Sequence, residues 1–445
     1  PRSFWKRLFV SSLPAVMNFH DNGSLTPLRF FTAQSPATLF VFPERMLPLT
    51  RAYYLRAFDL VLGLAYGGHS LAVLVLGPKN DELTQIHRVL EIFSPAVTTQ
   101  PLVRGRFPIK HKIVRWIERG LRRCVGLSSS APRRYSERGM VFATKANAKL
   151  LSNVVGSLPA LKNVVYTGAW FAKTVSFVQS RHSELRWFCD THDVFFVLDD
   201  TGAKEDRHFF YSAERQRRLE IDDLKLADIV IAISPSDRDA LSHADLSRQC
   251  IVEPGSFSHV YPELQISAAC NPNVFGFVGS NNRNNQKCLH LIRKLWWPVI
   301  RECRPEARLQ LAGAICLSEE AALLIQAYPD SVNSLGFVDS IDSFYSMVSV
   351  VLSPIEVQGG LNFKSVEALM AGCFLLTNAR GSNCLGKGTR GVSIVDDNAS
   401  NLPTILEKLL IKSGDAIERL KIRSSATLVY GDKMAYADLL DKLNN

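Results

Sequence analysis

No two of the nine cysteines, at positions 124, 189, 250, 270, 288, 303, 316, 373 and 384, stand in a Cys-x-x-Cys pair. A disulfide framework or a structural zinc site needs tighter, patterned spacing, so these read as reduced thiols filling cores in the cytoplasm. An uninterrupted apolar run of membrane length is also lacking. The longest, Leu60 to Gly77, is broken by Gly63, Gly67, Gly68 and His69, and reads as a helix, a turn and a buried strand. Repeats of solenoid type and low-complexity tracts are missing too, which excludes fibrous and disordered classes. The stretch Arg2–Met17 carries Pro14 and no small-residue cleavage site, so it reads as an extension rather than a secretory leader. Acidic residues are outnumbered: 42 Asp+Glu against 52 Lys+Arg leave a net charge of +10 over 445 residues. That excess favours anionic partners without choosing among nucleotide phosphates, nucleic acid and an anionic membrane.

What is present is an alternation. From Thr38 onward, short apolar runs end in Gly, Pro, Ser or Asp and are separated by amphipathic stretches of helical period. Strands are expected at Thr38–Phe42, Ser70–Leu76, Val164–Thr167, Arg186–Cys189, Ile229–Ser234 and Cys250–Glu253. After Pro254–Pro272, which has linker chemistry, the pattern restarts with Val274–Gly279, Arg308–Ala312, Ser334–Phe337, Val350–Pro354, Cys373–Thr377 and Ser393–Val395. Continuously apolar strands between helices indicate parallel sheets covered on both faces. The fold class expected is α/β, two doubly wound Rossmann-like domains facing one another across a cleft, with ligands beyond the carboxyl ends of the strands. The boundaries are an N-terminal extension over 1–37, a first domain over 38–260, a second over 272–430, and a final helix over 431–445 returning to the first.

The strongest local feature runs from Ser353 to Gly372, SPIEVQGGLNFKSVEALMAG. A strand ends at Pro354, Gly359-Gly360 opens a tight loop, and a helix is expected from Leu361 to Met370. Backbone N–H groups at such a helix start, aided by the macrodipole, form an anion site. Lys364 and Glu367 lie three apart and so share a helical face, a cation suited to a diphosphate and a carboxylate suited to ribose hydroxyls.

These residues resemble the donor-site signature of GT-B glycosyltransferases of family 4, the glycosyl transferases group 1. Gly360, Lys364, Glu367, Ala368 and Gly372 match that signature, with Met370 in place of its second Ala. Other segments follow in the family's order. Phe277-Val-Gly-Ser280, Asn284-Asn285 and Trp297-Pro-Val-Ile300 resemble its phosphate loop and following helix, and Leu335-Gly-Phe-Val338 through Pro354 its base-holding stretch. Gly68-His69, Asp190-Thr-His-Asp193 and Ala227–Ser234 resemble its first-domain segments.

The resemblance implies transfer of a sugar from a nucleotide-diphosphate sugar to a glycan, lipid-linked or protein acceptor, with retention, without metal and with no cofactor beyond the donor substrate. It assigns catalysis to His192, Lys364 and Glu367. Donor binding falls to Gly279, Ser280, Arg283, Asn285, Phe337, Val338, Gly359, Gly360, Leu361, Asn362 and Phe363, with Asp193 and Arg51 on the acceptor side. Two departures stand out. The family's further Glu falls on Gly359, with Glu356 out of register, and its Arg after the phosphate-loop Gly is Ser280, which shifts weight onto Lys364. No residue pattern supplies a metal site, Asp199-Asp200 being a bare pair that suits a loop turn. The rival readings are a non-hydrolysing sugar-nucleotide epimerase and a catalytically inactive GT-B scaffold.

Residues 104–123 hold eight Lys/Arg against the single acid Glu118, +7 of the chain's +10. Ile109, Ile113, Trp116, Ile117 and Leu121 recur at helical spacing among them. A basic amphipathic helix with an interfacial Trp suits an anionic lipid surface, the alternative being a solvated helix face. Nucleic acid is disfavoured because aromatic stacking residues and binding modules are missing. The expected setting is bacterial polysaccharide biosynthesis in the cytoplasm, peripheral to the inner face of the plasma membrane.

Overall fold

The structure, a computed structural model, describes residues 37–42, 69–76, 96–100, 143–197, 212–246, 250–257, 271–356, 359–431 and 436–444, residues 256 and 339 apart, with scattered positions between 56 and 64 and between 116 and 135. Arg51, Asp199-Asp200, the N-terminal extension and most of 104–123 lie outside the described residues. The chain divides into two compact units, one built on Met17–Gly255 with Tyr436–Asn445 and the other on Ser256–Ala435.

The first unit is a seven-stranded parallel sheet of β1 (Thr38–Phe42), β2 (Leu71–Leu76), β3 (Ala96–Gln100), β4 (Asn163–Thr167), β5 (Arg186–Asp190), β6 (Ile229–Ala232) and β7 (Cys250–Val252), in the order β3-β2-β1-β4-β5-β6-β7. Every residue of β1 and β4 is buried, as a strand covered on both faces requires. Helices α1 (Lys145–Gly156), α2 (Ala172–Gln179), α3 (Ala213–Leu224) and α4 (Pro235–Ser242) supply Leu151, Val155, Val175, Val178, Leu224 and Leu241 to a core shared with Leu39, Val164, Tyr166 and Trp187. Three of these helices open on a hydroxyl cap: Thr144, Ser212 and Ser234 each accept a backbone N–H three residues on. Strand β3 has no counterpart in the sequence reading. Ala96-Val-Thr-Thr-Gln is half polar and becomes a strand by pairing with Ala72–Leu76 at the sheet edge.

The second unit is a six-stranded parallel sheet of β8 (Val274–Val278), β9 (Arg308–Ala312), β10 (Val332–Gly336), β11 (Val350–Ser353), β12 (Phe374–Asn378) and β13 (Val392–Val395), in the order β10-β9-β8-β11-β12-β13. Its helices are α5 (Arg283–Leu291), α6 (Trp297–Cys303), α7 (Glu319–Ala327), α8 (Ile341–Met347), α9 (Phe363–Met370), the single turn α10 (Ala379–Ser382), α11 (Leu402–Ser413) and α12 (Ala416–Tyr430). A π turn, Ile292–Trp296, joins α5 to α6 just before Pro298, whose missing N–H removes an α-helical bond there. Strand β10 begins at Val332, two residues before the expected Ser334, and α9 begins at Phe363 rather than Leu361. The last helix, α13 (Ala437–Asn444), belongs to the first unit: Glu253 accepts the N–H groups of Tyr436 and Leu439, and Asn163 Nδ2 donates to Leu443 O at 3.0 Å.

Both sheets place their first and fourth strands side by side, β1 with β4 and β8 with β11. The connections leave in opposite directions there, opening a crevice at the carboxyl ends. Lys364 and its neighbours gather at the second of these ends. His192 lies beside the first.

Candidate functional site

In the second unit the chain leaves β8 through Gly279-Ser280 and enters α5, capped by Asn282, whose Oδ1 accepts from Asn285 N at 2.8 Å. Asn285 then turns its amide back onto the loop, donating to Ser280 O at 2.9 Å. A Cβ at Gly279 would stand 2.7 Å from that amide nitrogen, so the loop closes this tightly only around glycine. Neighbouring strand ends are laced to it: Gly279 N donates to Ala312 O and Ile315 N to Gly279 O.

Across the crevice, Gly359 and Gly360 take φ of 140° and 67°, backbone that L side chains rarely adopt, and turn the chain into α9. Asn362 holds the N-cap position yet makes no side-chain cap. Its amide instead donates to Ser353 Oγ at 2.9 Å, anchoring the loop to the end of β11. The first turn of α9 therefore faces the crevice with no capping side chain, and the macrodipole favours an anion there. Lys364, in that turn, reaches back across the gap. Its Nζ donates to Asn285 Oδ1 at 2.6 Å and lies 4.3 Å from the centre of the Phe277 ring, a cation–π contact from β8. Burial lowers the Lys364 ammonium from its ordinary value, with Glu367 opposing that shift. A partly desolvated cation beside a helix N-terminus gains most when an anion arrives.

Glu367, one turn on, is buried, and Tyr345 Oη donates to its Oε2 at 2.8 Å. That bond sets the carboxylate from α8, a partner the sequence reading did not name. Glu356, the out-of-register acid, lies 4.0 Å from Lys287 of α5. Phe337, at the end of β10, is 77% exposed, an open aromatic face beyond the strand. Leu361 is buried, while Phe363, Arg283 and Val338 are half-buried. Phe363 packs on Phe257, with ring centres 5.1 Å apart. Ser280, Asn285 and Lys364 are thus linked by hydrogen bonds, while Asn362 is tied to Ser353 at the end of β11. Among the described residues no group of three or more His, Cys, Asp and Glu is arranged to hold a metal ion.

In the first unit, His192 follows β5 with φ of 56°, a positive value in a residue other than glycine. Thr191 O accepts Asp193 N at 2.7 Å across it, making a three-residue turn, and Thr191 itself is bound through N and Oγ1 to Ile231 O. The His192 ring sits 6.4 Å from that of Phe42, at the end of β1. It is 5% exposed, and its Nε2 is 3.1 Å from Asp190 Oδ2. Burial lowers its pKa to about 4, Asp190 opposing and Arg56 assisting, so the imidazole is neutral near pH 7. An acid against this ring is Asp190, two residues before it at the end of β5. Asp190 pairs with Arg56, which the sequence reading passed over because 134 positions separate them.

Residues 272–411 match the model of the family described as Glycosyl transferases group 1. Among curated proteins nothing matches by sequence. Solved structures similar to this chain include Anabaena HepE in complex with UDP, at 13% identity and a TM-score of 0.59, covering 92% of this chain and 99% of that one. Sucrose-phosphate synthase from Thermosynechococcus elongatus, at 13% identity and TM-score 0.58, covers 92% and 97%. A S. aureus TarM mutant in complex with fondaparinux, alpha-GlcNAc-glycerol and UDP, at 10% identity and TM-score 0.59, covers 92% and 100%. At these identities the likeness shows the fold, a pair of Rossmann-like units of GT-B type. The matched segment contains the whole of the Lys364 cluster.

Proposed function

We propose that this chain, a GT-B-fold protein whose residues 272–411 form a group 1 glycosyltransferase domain, moves a sugar from a nucleoside-diphosphate sugar to a glycan, lipid-linked or protein hydroxyl. The observation that carries the reading is Lys364, held by Asn285 and Phe277 beside the uncapped start of α9 at the carboxyl ends of β8 and β11. Breaking the anomeric C–O bond leaves a diphosphate, and the transition state is oxocarbenium-like. Catalysis then rests on donors aimed where negative charge grows. Lys364 and the α9 N–H groups meet that charge, Gly279-Ser280 lines its other side, Glu367 takes the ribose hydroxyls and Phe337 offers a face to the base. His192 takes a hydroxyl of the sugar or acceptor, and transfer proceeds with retention. Structures of similar fold that hold UDP, those of HepE and TarM, support a nucleotide-dependent reading.

Purified protein offered a panel of sugar nucleotides should release nucleoside diphosphate from one of them, slowly by hydrolysis and faster with acceptor. Lys364→Ala should lower that rate a hundredfold or more, about 3 kcal/mol of transition-state stabilisation. A rate within threefold of wild type sinks the assignment. Reversible epimerisation of the donor sugar would instead identify an epimerase.

A membrane-bound acceptor fits the basic stretch. Within 104–123 the described positions Trp116, Ile117 and Leu121 are exposed, Trp116 by 74%, and Glu118, the stretch's one acid, is buried. The apolar residues there face solvent beside the exposed Arg119, as surface insertion into anionic lipid requires. Among the described residues no helix is long and apolar enough to cross a membrane.

A further inference from the structure

At the β13 edge of the second unit's sheet, the amino ends of β12 and β13 and the helices α11 and α12 line a cavity of about 420 Å³. The buried Phe374, Leu409 and Ile422 give it an apolar side. Four cations also line it: Arg390 from the turn before β13, Lys408 and Lys412 from α11, and Lys421 from α12. Glu418 is the one acid among the described lining residues, and it accepts from Lys421 Nζ at 2.7 Å. Among the described residues no carboxylate pairs with Arg390, Lys408 or Lys412. The Lys364 cluster gathers at the carboxyl ends of β8 and β11, which in a parallel sheet lie opposite the amino ends. Donor binding, as read above, uses none of the side chains that line this cavity.

The turn that delivers Arg390 is fastened to α12. Arg390 N donates to Ser425 Oγ at 2.9 Å, Gly386 N to Tyr430 Oη at 2.8 Å, and Thr389 Oγ1 to Gly386 O at 2.6 Å. Gly391 takes φ of 79°, and a Cβ there would stand 2.6 Å from Ile422, so the turn comes this near the helix only on glycine. The backbone beneath Arg390 is thus fixed at the cavity. Like charges gathered in one concavity repel one another and focus a positive potential, which an entering anion relieves. A phosphate ester suits both sides of it. Its oxygens accept charge-assisted hydrogen bonds from Lys and Arg, and its organic part meets the apolar side. Ile411, Ile417 and Leu420 are exposed, each within a helical turn of one of these lysines, which suits a lipid headgroup as well as a soluble ester.

We propose that this cavity is a second anion site, a pocket in which Arg390, Lys408, Lys412 and Lys421 bind a phosphate ester at the opposite end of the sheet from the donor. The inference does not rest on the glycosyl-transfer reading. It is also separate from the basic stretch at 104–123, which belongs to the other unit.

The test is lysine footprinting of the full chain: a short pulse of an acetylating reagent, with the rate at each lysine read by mass spectrometry. One arm contains glycerol 3-phosphate, the other vesicles of equal parts phosphatidylglycerol and phosphatidylcholine. Sodium chloride at matched ionic strength and pure phosphatidylcholine vesicles are the blanks. Lys408, Lys412 and Lys421 should acetylate several-fold more slowly in at least one arm, while Lys294, exposed in the same unit, keeps its rate. Slowing by glycerol 3-phosphate identifies a soluble ester, and slowing by the anionic vesicles alone a lipid headgroup. In the double variant Arg390→Ala, Lys412→Ala, both exposed positions, the slowing at Lys408 and Lys421 should disappear with the melting temperature unchanged. Rates equal to the blanks in both arms overturn the proposal, even where the protein sediments with the vesicles, since 104–123 then binds them alone. Equal slowing at Lys294 also overturns it, as does slowing that survives the double variant.

Discussion

His192 and Glu253 are both buried in the first unit, and burial drives their pKa values in opposite directions. His192, lowered to about 4 from 6.5, contributes stability that is present above pH 6.5 and lost as pH falls through 4, because only the unfolded chain takes up the proton in between. Glu253, raised to about 7 from 4.5, contributes stability that is full below 4.5 and lost as pH rises through 7. Between pH 4.5 and 6.5 the two slopes oppose. Glu253→Gln should remove the second, so that urea midpoints rise with pH through this window and no longer fall toward pH 8. An unchanged pH profile would show that Glu253 is not a buried acid. Turnover should follow the histidine. A neutral His192 predicts an acid limb in kcat near pH 4 rather than 6.5. His192→Ala should impair turnover well before it weakens nucleotide binding, read by kinetics and by titration with nucleoside diphosphate.

At the scale of elements, α9 is held at both ends by different chemistry. Its start is left to the crevice, while its C-terminal end is fastened from behind. Arg419 of α12, fully buried, donates through Nε to Gly372 O at 3.1 Å and through Nη2 to Val348 O at 3.4 Å. A guanidinium against carbonyls at the ends of α9 and α8 satisfies orphan acceptors and meets the negative ends of both dipoles. Arg419→Met keeps much of the volume and strands those carbonyls. It should cost about 2–4 kcal/mol, seen as a melting temperature lower by roughly 5–10 °C. Nucleotide affinity should fall with it, because α9 carries both Lys364 and Glu367. A variant that melts like wild type would show the carbonyls find other donors.

At the scale of the whole molecule, +7 of the net +10 lies within 104–123. Each Lys or Arg near an anionic surface contributes about 1 kcal/mol, less after screening, so the stretch suffices to hold the protein on acidic lipid at low salt. Binding to phosphatidylglycerol-containing vesicles is expected, with release as salt rises and little binding to neutral vesicles. Replacing Arg115, Arg119, Arg122 and Arg123 with Glu should free the protein and leave nucleotide binding unaltered. Wild type that ignores anionic vesicles at low salt would make the stretch a solvated face and the acceptor one that is not membrane-bound.

Local pattern was enough for all the parallel strands but β3, because a strand covered on both faces must be apolar throughout. Ser353–Gly372 was legible for the same reason: glycines at positive φ, a helix start and a lysine in its first turn lie within twenty positions. What sequence could not supply is whatever depends on partners distant along the chain. Strand β3 is a strand through its pairing with β2. Tyr345 orients Glu367 from another helix, and Asp190, beside His192, is paired by Arg56 from 134 positions away, with Tyr436 against that guanidinium from the far end of the chain. Such contacts leave no periodicity, since a buried charge needs only one partner at one point in space, and that point exists only once the sheet has formed.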